Sequence, residues 1–116
     1  MQVLKKSLSI ILLSLILVLM LTACAPSSVE DAKTKLANAG YGVVDYVADE
    51  VDKNQGVIEG IFATTGDDSI LALYFEDAKK AKSYAKSWID SKYQVISSSG
   101  RWAYAGTKKA VRAFKS

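Results

Sequence analysis

A run of apolar residues near the start of the chain, followed by the only cysteine, constrains the fold more than any other feature of this sequence. Positions 8–21 are almost all Leu, Ile, Val and Met, and they follow the positive pair Lys5 and Lys6. These 14 residues are too few for a permanent membrane span, which needs about 20. A short apolar run behind a positive segment is typical of a secretory signal. We therefore expect residues 1–23 to be a removable leader.

The residues around the single cysteine have the order of a cleavage signal. Leu21, Thr22, Ala23 and Cys24 form a lipobox, so this part of the chain resembles the signal peptide of a bacterial lipoprotein. The resemblance implies diacylglycerol on the Cys24 sulfur, cleavage before Cys24 and acylation of the new amino terminus, for example with palmitate. Two or three acyl chains, at about 0.8 kcal/mol per buried CH₂, give a stable membrane anchor. The expected location is the extracytoplasmic face of the cell membrane.

Composition excludes several classes of function. The chain has no His and one Cys, which removes histidine-based triads, histidine metal sites and internal disulfides. Lys5 and Lys6 belong to the leader, so the mature domain is close to neutral and a nucleic-acid partner is not expected. We expect a protein that is not an enzyme and has no cofactor and no metal. A small hydrolase is the least favoured alternative.

The mature chain has a mixed pattern of helix and strand signals. Residues 24–28 comprise the lipidated cysteine and a short linker, and 29–116 are predicted to form a single domain. Helices are predicted after Ser28, after Asp77 as far as about Ser91, and after Thr107, because these side chains can cap a first helical turn. Strands are predicted at about 41–47, 57–65, 70–75, 93–98 and 101–106.

The order of these elements, α-β-β-β-α-β-β-α, favours the α+β class. Runs of adjacent strands predict an antiparallel sheet of about five strands. We expect two layers, with the helices on one face of the sheet.

Aromatic side chains are predicted on the face that the helices leave open. Tyr74, Trp102 and Tyr104 fall on that face, and Tyr46 is expected to join them. Trp and Tyr supply contact area with little loss of conformational entropy, so these four residues are the candidate binding surface. The alternative is ordinary cross-strand packing of aromatic side chains.

Polar segments give weaker candidates. Segment 49–56 holds three acids and an Asn, but a bidentate acid is missing at calcium-loop spacing, which favours a solvated turn. Glu59 lies inside an apolar strand, and the simpler register buries Ile58 and Phe62 and turns Glu59 to solvent.

The mature chain as a whole resembles small lipoproteins of Gram-positive bacteria in which a lipobox directly precedes one α+β domain. The resemblance rests on Gly40-Tyr41-x-Val43, Thr65-Gly66-Asp67-Asp68, Tyr74-Phe75-Glu76-Asp77 and the stretch from Gly100 to Thr107. It implies a compartment and no particular activity.

Two functions follow as hypotheses. The first is a membrane-anchored, non-catalytic module that binds an envelope protein or a small ligand. The alternative is a membrane-surface or stress-related envelope protein that contacts anionic lipid headgroups. The basic residues for that contact lie on the second predicted helix: Lys79, Lys80, Lys82 and Lys86.

Overall fold

The computed structural model describes residues 25–88 and 92–116. The apolar run, the lipobox residues Leu21, Thr22 and Ala23, and Cys24 itself lie outside the described residues, as do the last three residues of the second predicted helix. Among the helices that are described, none combines the length and the apolar character that a membrane span requires.

The described residues form four helices and five strands. The helices are α1 (Val29–Asn38), α2 (Glu50–Asn54), α3 (Ala78–Lys86) and α4 (Lys108–Lys115). The strands are β1 (Gly42–Tyr46), β2 (Val57–Thr65), β3 (Asp68–Phe75), β4 (Val95–Ser99) and β5 (Trp102–Gly106). The α+β class is confirmed, with one short helix, α2, more than predicted.

All five strands pair antiparallel in a single sheet of order β1-β2-β3-β5-β4. Strands β2 and β3 form one hairpin, and strands β4 and β5 form another. Each turns on a glycine with positive φ, Gly66 at 54° and Gly100 at 55°, as the first central position of a type II′ turn requires. The chain crosses from β3 through α3 to β4 and returns in β5, so β1 and β4 are the edges of the sheet.

The predicted helix starts are confirmed in atomic detail. The side chains of Ser28, Asp77 and Thr107 each accept a hydrogen bond from the backbone N–H three residues later, at 3.1, 2.8 and 3.4 Å. These bonds satisfy backbone donors that have no partner within the helix. Gly40 follows α1 with φ of 94°, the left-handed conformation that commonly ends a helix.

Helices cover both faces of the sheet, which corrects the prediction that they lie on one face only. Helices α1 and α4 pack against one face, and α3 packs against the other. The reason is that β3 is apolar on both sides, with Ile70 and Ala72 facing α1 and α4 while Leu73 and Phe75 face α3. A strand buried on both faces shows a continuous apolar run rather than an alternating one.

A β-bulge in β2 redirects its side chains. The register with β3 shifts between Val57 and Glu59, so that Ile58 is the additional residue. Val57 therefore faces α3, while Ile61 faces α1 and α4. Glu59 is exposed, as predicted, but the predicted burial of Ile58 is wrong, because 48 % of this side chain is exposed.

Candidate binding surface

The four aromatic residues predicted to form an open surface do not form one. Trp102 and Tyr104 are each only 1 % exposed, and Tyr74 is half-buried beside them. Tyr46 lies on the opposite face of the sheet, in the cluster that α3 covers. The prediction is wrong because α1 and α4 occupy the face that was expected to be open.

Three of these residues are core side chains. The ring of Trp102 meets that of Tyr74 at 4.9 Å and stands edge-on to Phe114 of α4 at 5.1 Å. Tyr104 contacts the same Phe114 ring at 5.2 Å. Tilted and edge-on ring pairs of this kind stabilise a core beyond their buried area. The alternative of ordinary aromatic packing is the correct interpretation for this face.

Trp102 also holds the start of the described chain against the domain. Its indole Nε1 donates a buried hydrogen bond of 2.7 Å to the backbone carbonyl of Pro26. Pro26 is buried, and Ala25 packs against the same hydrophobic cluster. The segment expected to be a linker is therefore part of the folded domain from Ala25 onward.

A buried carboxylate joins three elements on the α3 side of the sheet. Asp52 of α2 is 5 % exposed and accepts hydrogen bonds from two phenols, Tyr46 Oη at 2.8 Å and Tyr84 Oη at 3.0 Å. The backbone N–H of Asp49 donates to the same carboxylate at 3.2 Å. Since Tyr46 belongs to β1 and Tyr84 to α3, this carboxylate links β1, α2 and α3.

The protonation of this cluster follows from its hydrogen bonds. Burial alone would raise the pKa of Asp52, but the donors around it, Tyr46 first, outweigh burial and lower that pKa. The hydrogen bond to Asp52 raises the pKa of Tyr46 to about 12. Burial, and then the bond to Asp52, raise the pKa of Tyr84 to about 12. At neutral pH the carboxylate is charged and both phenols keep their protons, so the cluster is a structural link.

Segment 49–56 is largely helical, which corrects the prediction of a turn. Asp49 caps α2, and Asp49 and Asp52 form a reciprocal capping box. Within the described residues no group of three or more metal-ligating side chains comes together. The spacing of Asp49 and Asp52 in the sequence indicates the start of this short helix. The hydrogen bond from Tyr84 to Asp52 joins residues 32 positions apart, so no local pattern indicates it.

Charge divides the mature chain into two halves. Residues 25–77 carry eleven acidic and three basic side chains, whereas residues 78–116 carry ten basic side chains and one acidic one. The near-neutral total conceals this division. A count along the chain would have found it.

The order of the strands keeps the two halves apart in space. The acidic half contains β1, β2 and β3, and β1 is one edge strand of the sheet. The basic half contains β5 and β4, and β4 is the other edge strand. Helix α3 packs against β4 and β5, and its residues Lys82 and Lys86 lie beside the β4 edge. The domain therefore has an acidic side and a basic side.

A groove of about 350 Å³ runs between α3 and the β4 edge. Its lining consists of the apolar residues Ala85 and Ile96, the lysines Lys82 and Lys86 of α3, and Ser97 and Ser98 of β4. Two serines of β4 thus lie beside two lysines of α3, the second predicted helix. This groove is the candidate binding site.

A larger cavity of about 480 Å³ lies between α3 and the end of α2. Its lining mixes Asp77 with Lys79 and Lys80, and Lys80 forms an ion pair with Glu76. The groove beside β4 differs because its charged lining residues are both lysines and a strand edge adjoins it.

No protein-family model, curated protein or solved structure matches the chain.

Proposed function

We propose that the chain is a lipid-anchored, non-catalytic binding protein of the bacterial cell envelope, and that its basic side binds an acidic protein partner. The observation that carries the proposal is the separation of charge across the sheet, with ten basic side chains in residues 78–116. Positive and negative surfaces steer partners together and fix their orientation. The lipobox at Leu21–Cys24 supports the anchor, as the sequence predicts.

The direction of the anchor favours a partner over lipid headgroups. Ala25 and Pro26 pack at the end of the sheet where Trp102 begins β5. Lys108 begins α4 at the opposite end, where its backbone N–H donates to Gln94 Oε1 at 3.0 Å. An anchor on Cys24 would therefore turn the Trp102 end of the domain toward the bilayer. Much of the basic side would then face sideways or away from the bilayer surface. Contact with anionic headgroups is the alternative, and it predicts salt-sensitive binding to anionic vesicles.

Photo-crosslinking in intact bacteria tests the proposal. Benzoylphenylalanine is placed singly at Lys86 or Lys109, both exposed on the basic side, and at Val44, an exposed residue of the acidic side, as the matched control. We expect adducts of one defined mass from the two basic-side positions and none from Val44. A second comparison places the same probes in the Cys24→Ala chain. Alkyne-palmitate should label the chain only when Cys24 is present, and the adducts should disappear with the label.

Three results would contradict the proposal. Equal adducts from Val44 would remove the role of the basic side. Adducts that survive Cys24→Ala would show that the anchor does not bring the partner to the protein. Adducts with lipid alone would favour the vesicle alternative.

A further inference from the structure

Within residues 25–88 and 92–116, β4 is the last strand in the sheet order and pairs with β5 alone, so its outer side has no partner among the described strands. A strand edge of this kind presents a row of backbone N–H and C=O groups that can accept another strand. The five residues of β4 extend over ~17 Å, the length of a short peptide strand.

The turn between β4 and β5 fixes which backbone groups point outward. Ser99 and Trp102 flank the two-residue turn and form a hydrogen-bonded pair, and hydrogen-bonded and open pairs alternate along an antiparallel ladder. Ser98 and Ile96 therefore direct their N–H and C=O groups away from β5. Their side chains line the groove beneath α3, so the open edge and the groove form one continuous surface.

The charge of the groove defines the occupant. Lys82 and Lys86 stand over the same edge, one helical turn apart on α3, and both are exposed. An added strand would place every second side chain beneath these two ammonium groups. Acidic side chains at those positions would complement them, while basic ones would be repelled.

We propose that the β4 edge binds an extended acidic polypeptide segment as a sixth strand, with its carboxylates facing Lys82 and Lys86. The inference rests on the proposed function and assigns its site and its mode of binding. Backbone pairing supplies affinity, and the two lysines supply selection for acidic side chains.

Fluorescence anisotropy with a defined probe tests the proposal. The probe is a labelled heptapeptide of alternating Glu and Val, and a Lys–Val heptapeptide is its control. The protein is the full chain in micelles of a nonionic detergent. We expect binding of the Glu–Val peptide alone, weakened about tenfold or more by Lys82→Glu with Lys86→Glu. Lys108→Glu with Lys109→Glu makes the same change in charge on α4 and should weaken binding by less than about threefold.

A backbone variant separates strand addition from simple charge attraction. Ser98→Pro removes an N–H that points to the open edge and leaves the β4–β5 hydrogen bonds in place, because proline is tolerated at such edge positions. It should weaken binding of the Glu–Val peptide by about tenfold while the circular dichroism spectrum and Tm stay close to those of the unmodified chain.

Four outcomes would overturn the inference. The Glu–Val peptide would fail to bind at about 1 mM, or the two pairs of lysine substitutions would weaken its binding equally. Ser98→Pro would leave binding unchanged in a folded protein, or the unmodified chain would form a dimer that Ser98→Pro abolishes. The last outcome would make the occupant a second copy. Adducts from Lys86 and Lys109 in cells that persist despite any of these results would keep the proposed function and move its site.

Discussion

Asp52 illustrates how one side chain can hold three elements together. Its carboxylate is buried, which is costly for a charge, yet two phenols and a backbone N–H donate to it. Hydrogen bonds to a charged group contribute more than neutral ones. The position of α2, and with it the end of β1, therefore depends on Tyr46 and Tyr84.

Replacing the phenols tests this link. Tyr46→Phe should lower the free energy of unfolding by about 1.5–3 kcal/mol, because Asp52 loses a donor while it stays buried. Tyr84→Phe should act in the same direction. Tyr93→Phe is the matched control, because Tyr93 is 37 % exposed and should change stability little. Urea titration at neutral pH measures all three, and equal stability of Tyr46→Phe and the unmodified chain would contradict the assigned role.

The same residues set a dependence on pH. The pKa values of Tyr46 and Tyr84 in the fold, about 12, exceed the unfolded value of 10.0, so their contribution is complete below pH 10 and is lost as the pH rises toward 12. The pKa of Asp52 is lowered from 3.8, so its contribution is complete above that value and is lost as the pH falls through the folded pKa. In the double variant Tyr46→Phe with Tyr84→Phe, the free energy of unfolding should decrease less as the pH rises from 10 toward 12.

At the scale of elements, close contact between strands limits which residues the sheet accepts. Gly106 of β5 pairs with Ile70 of β3 in the middle of the sheet. A Cβ atom at Gly106 would collide with the backbone oxygen of Ser69 and lie 2.9 Å from the Ile70 Cα. Since both are backbone atoms, a rotamer change cannot relieve the contact.

Gly106→Ala should therefore be strongly destabilising, by about 2–3 kcal/mol, because the β3–β5 pair has to separate locally. Gly42→Ala on edge strand β1 is the control, since its nearest neighbour, the Thr64 oxygen, would lie at an ordinary 3.8 Å. Thermal unfolding followed by circular dichroism compares the two. Similar Tm values for both variants would show that β3 and β5 can adjust without cost.

Local signals explain what the sequence could predict about these elements. Ser28, Asp77 and Thr107 cap helices through atoms three residues away, so their patterns could be read directly. The assignment of faces failed because residues 70–75 are apolar throughout, and a period of two cannot be recognised in such a run. The pairing of β3 with β5 depends on the path of α3 across the sheet, which no local pattern encodes.

The candidate site was hidden for a related reason. Lys82, Lys86, Ser97 and Ser98 were each visible as polar residues, but their meeting in one groove depends on how α3 packs against β4. Trp102 and Tyr104 were predicted to form a binding surface because Trp and Tyr are common in such surfaces. They are buried because α1 and α4 cover their face of the sheet, whereas all helices were predicted on the other face.

At the scale of the whole molecule, the contact between Trp102 and Pro26 fixes where the domain begins. The hydrogen bond from the indole is 2.7 Å long and buried, and it joins residues 76 positions apart. Phenylalanine at this position would keep an aromatic ring against Phe114, but it would remove the donor and leave a small cavity where the rest of the indole packs.

Trp102→Phe should cost about 1–2 kcal/mol of stability, since the Pro26 carbonyl would remain buried without its donor. Hydrogen exchange at the amides of Ser27 to Val29 should accelerate, while the amides of β3 stay protected. Trp88→Phe, at a half-buried position on the α3 side, is the control. Unchanged exchange at Ser27 in the folded variant would contradict the role of the indole in holding this segment.

The attachment of Pro26 to Trp102 also limits the region that the protein can search. With the proposed anchor on Cys24, the domain has no slack chain on which to extend away from the bilayer, so its basic side stays within about one domain diameter of the lipid. Encounters then take place in a thin layer along the membrane, where confinement raises the effective concentration of any partner in the same layer. Even a weak strand-edge contact would be well populated there, and a freely diffusing partner outside the layer would be met far less often.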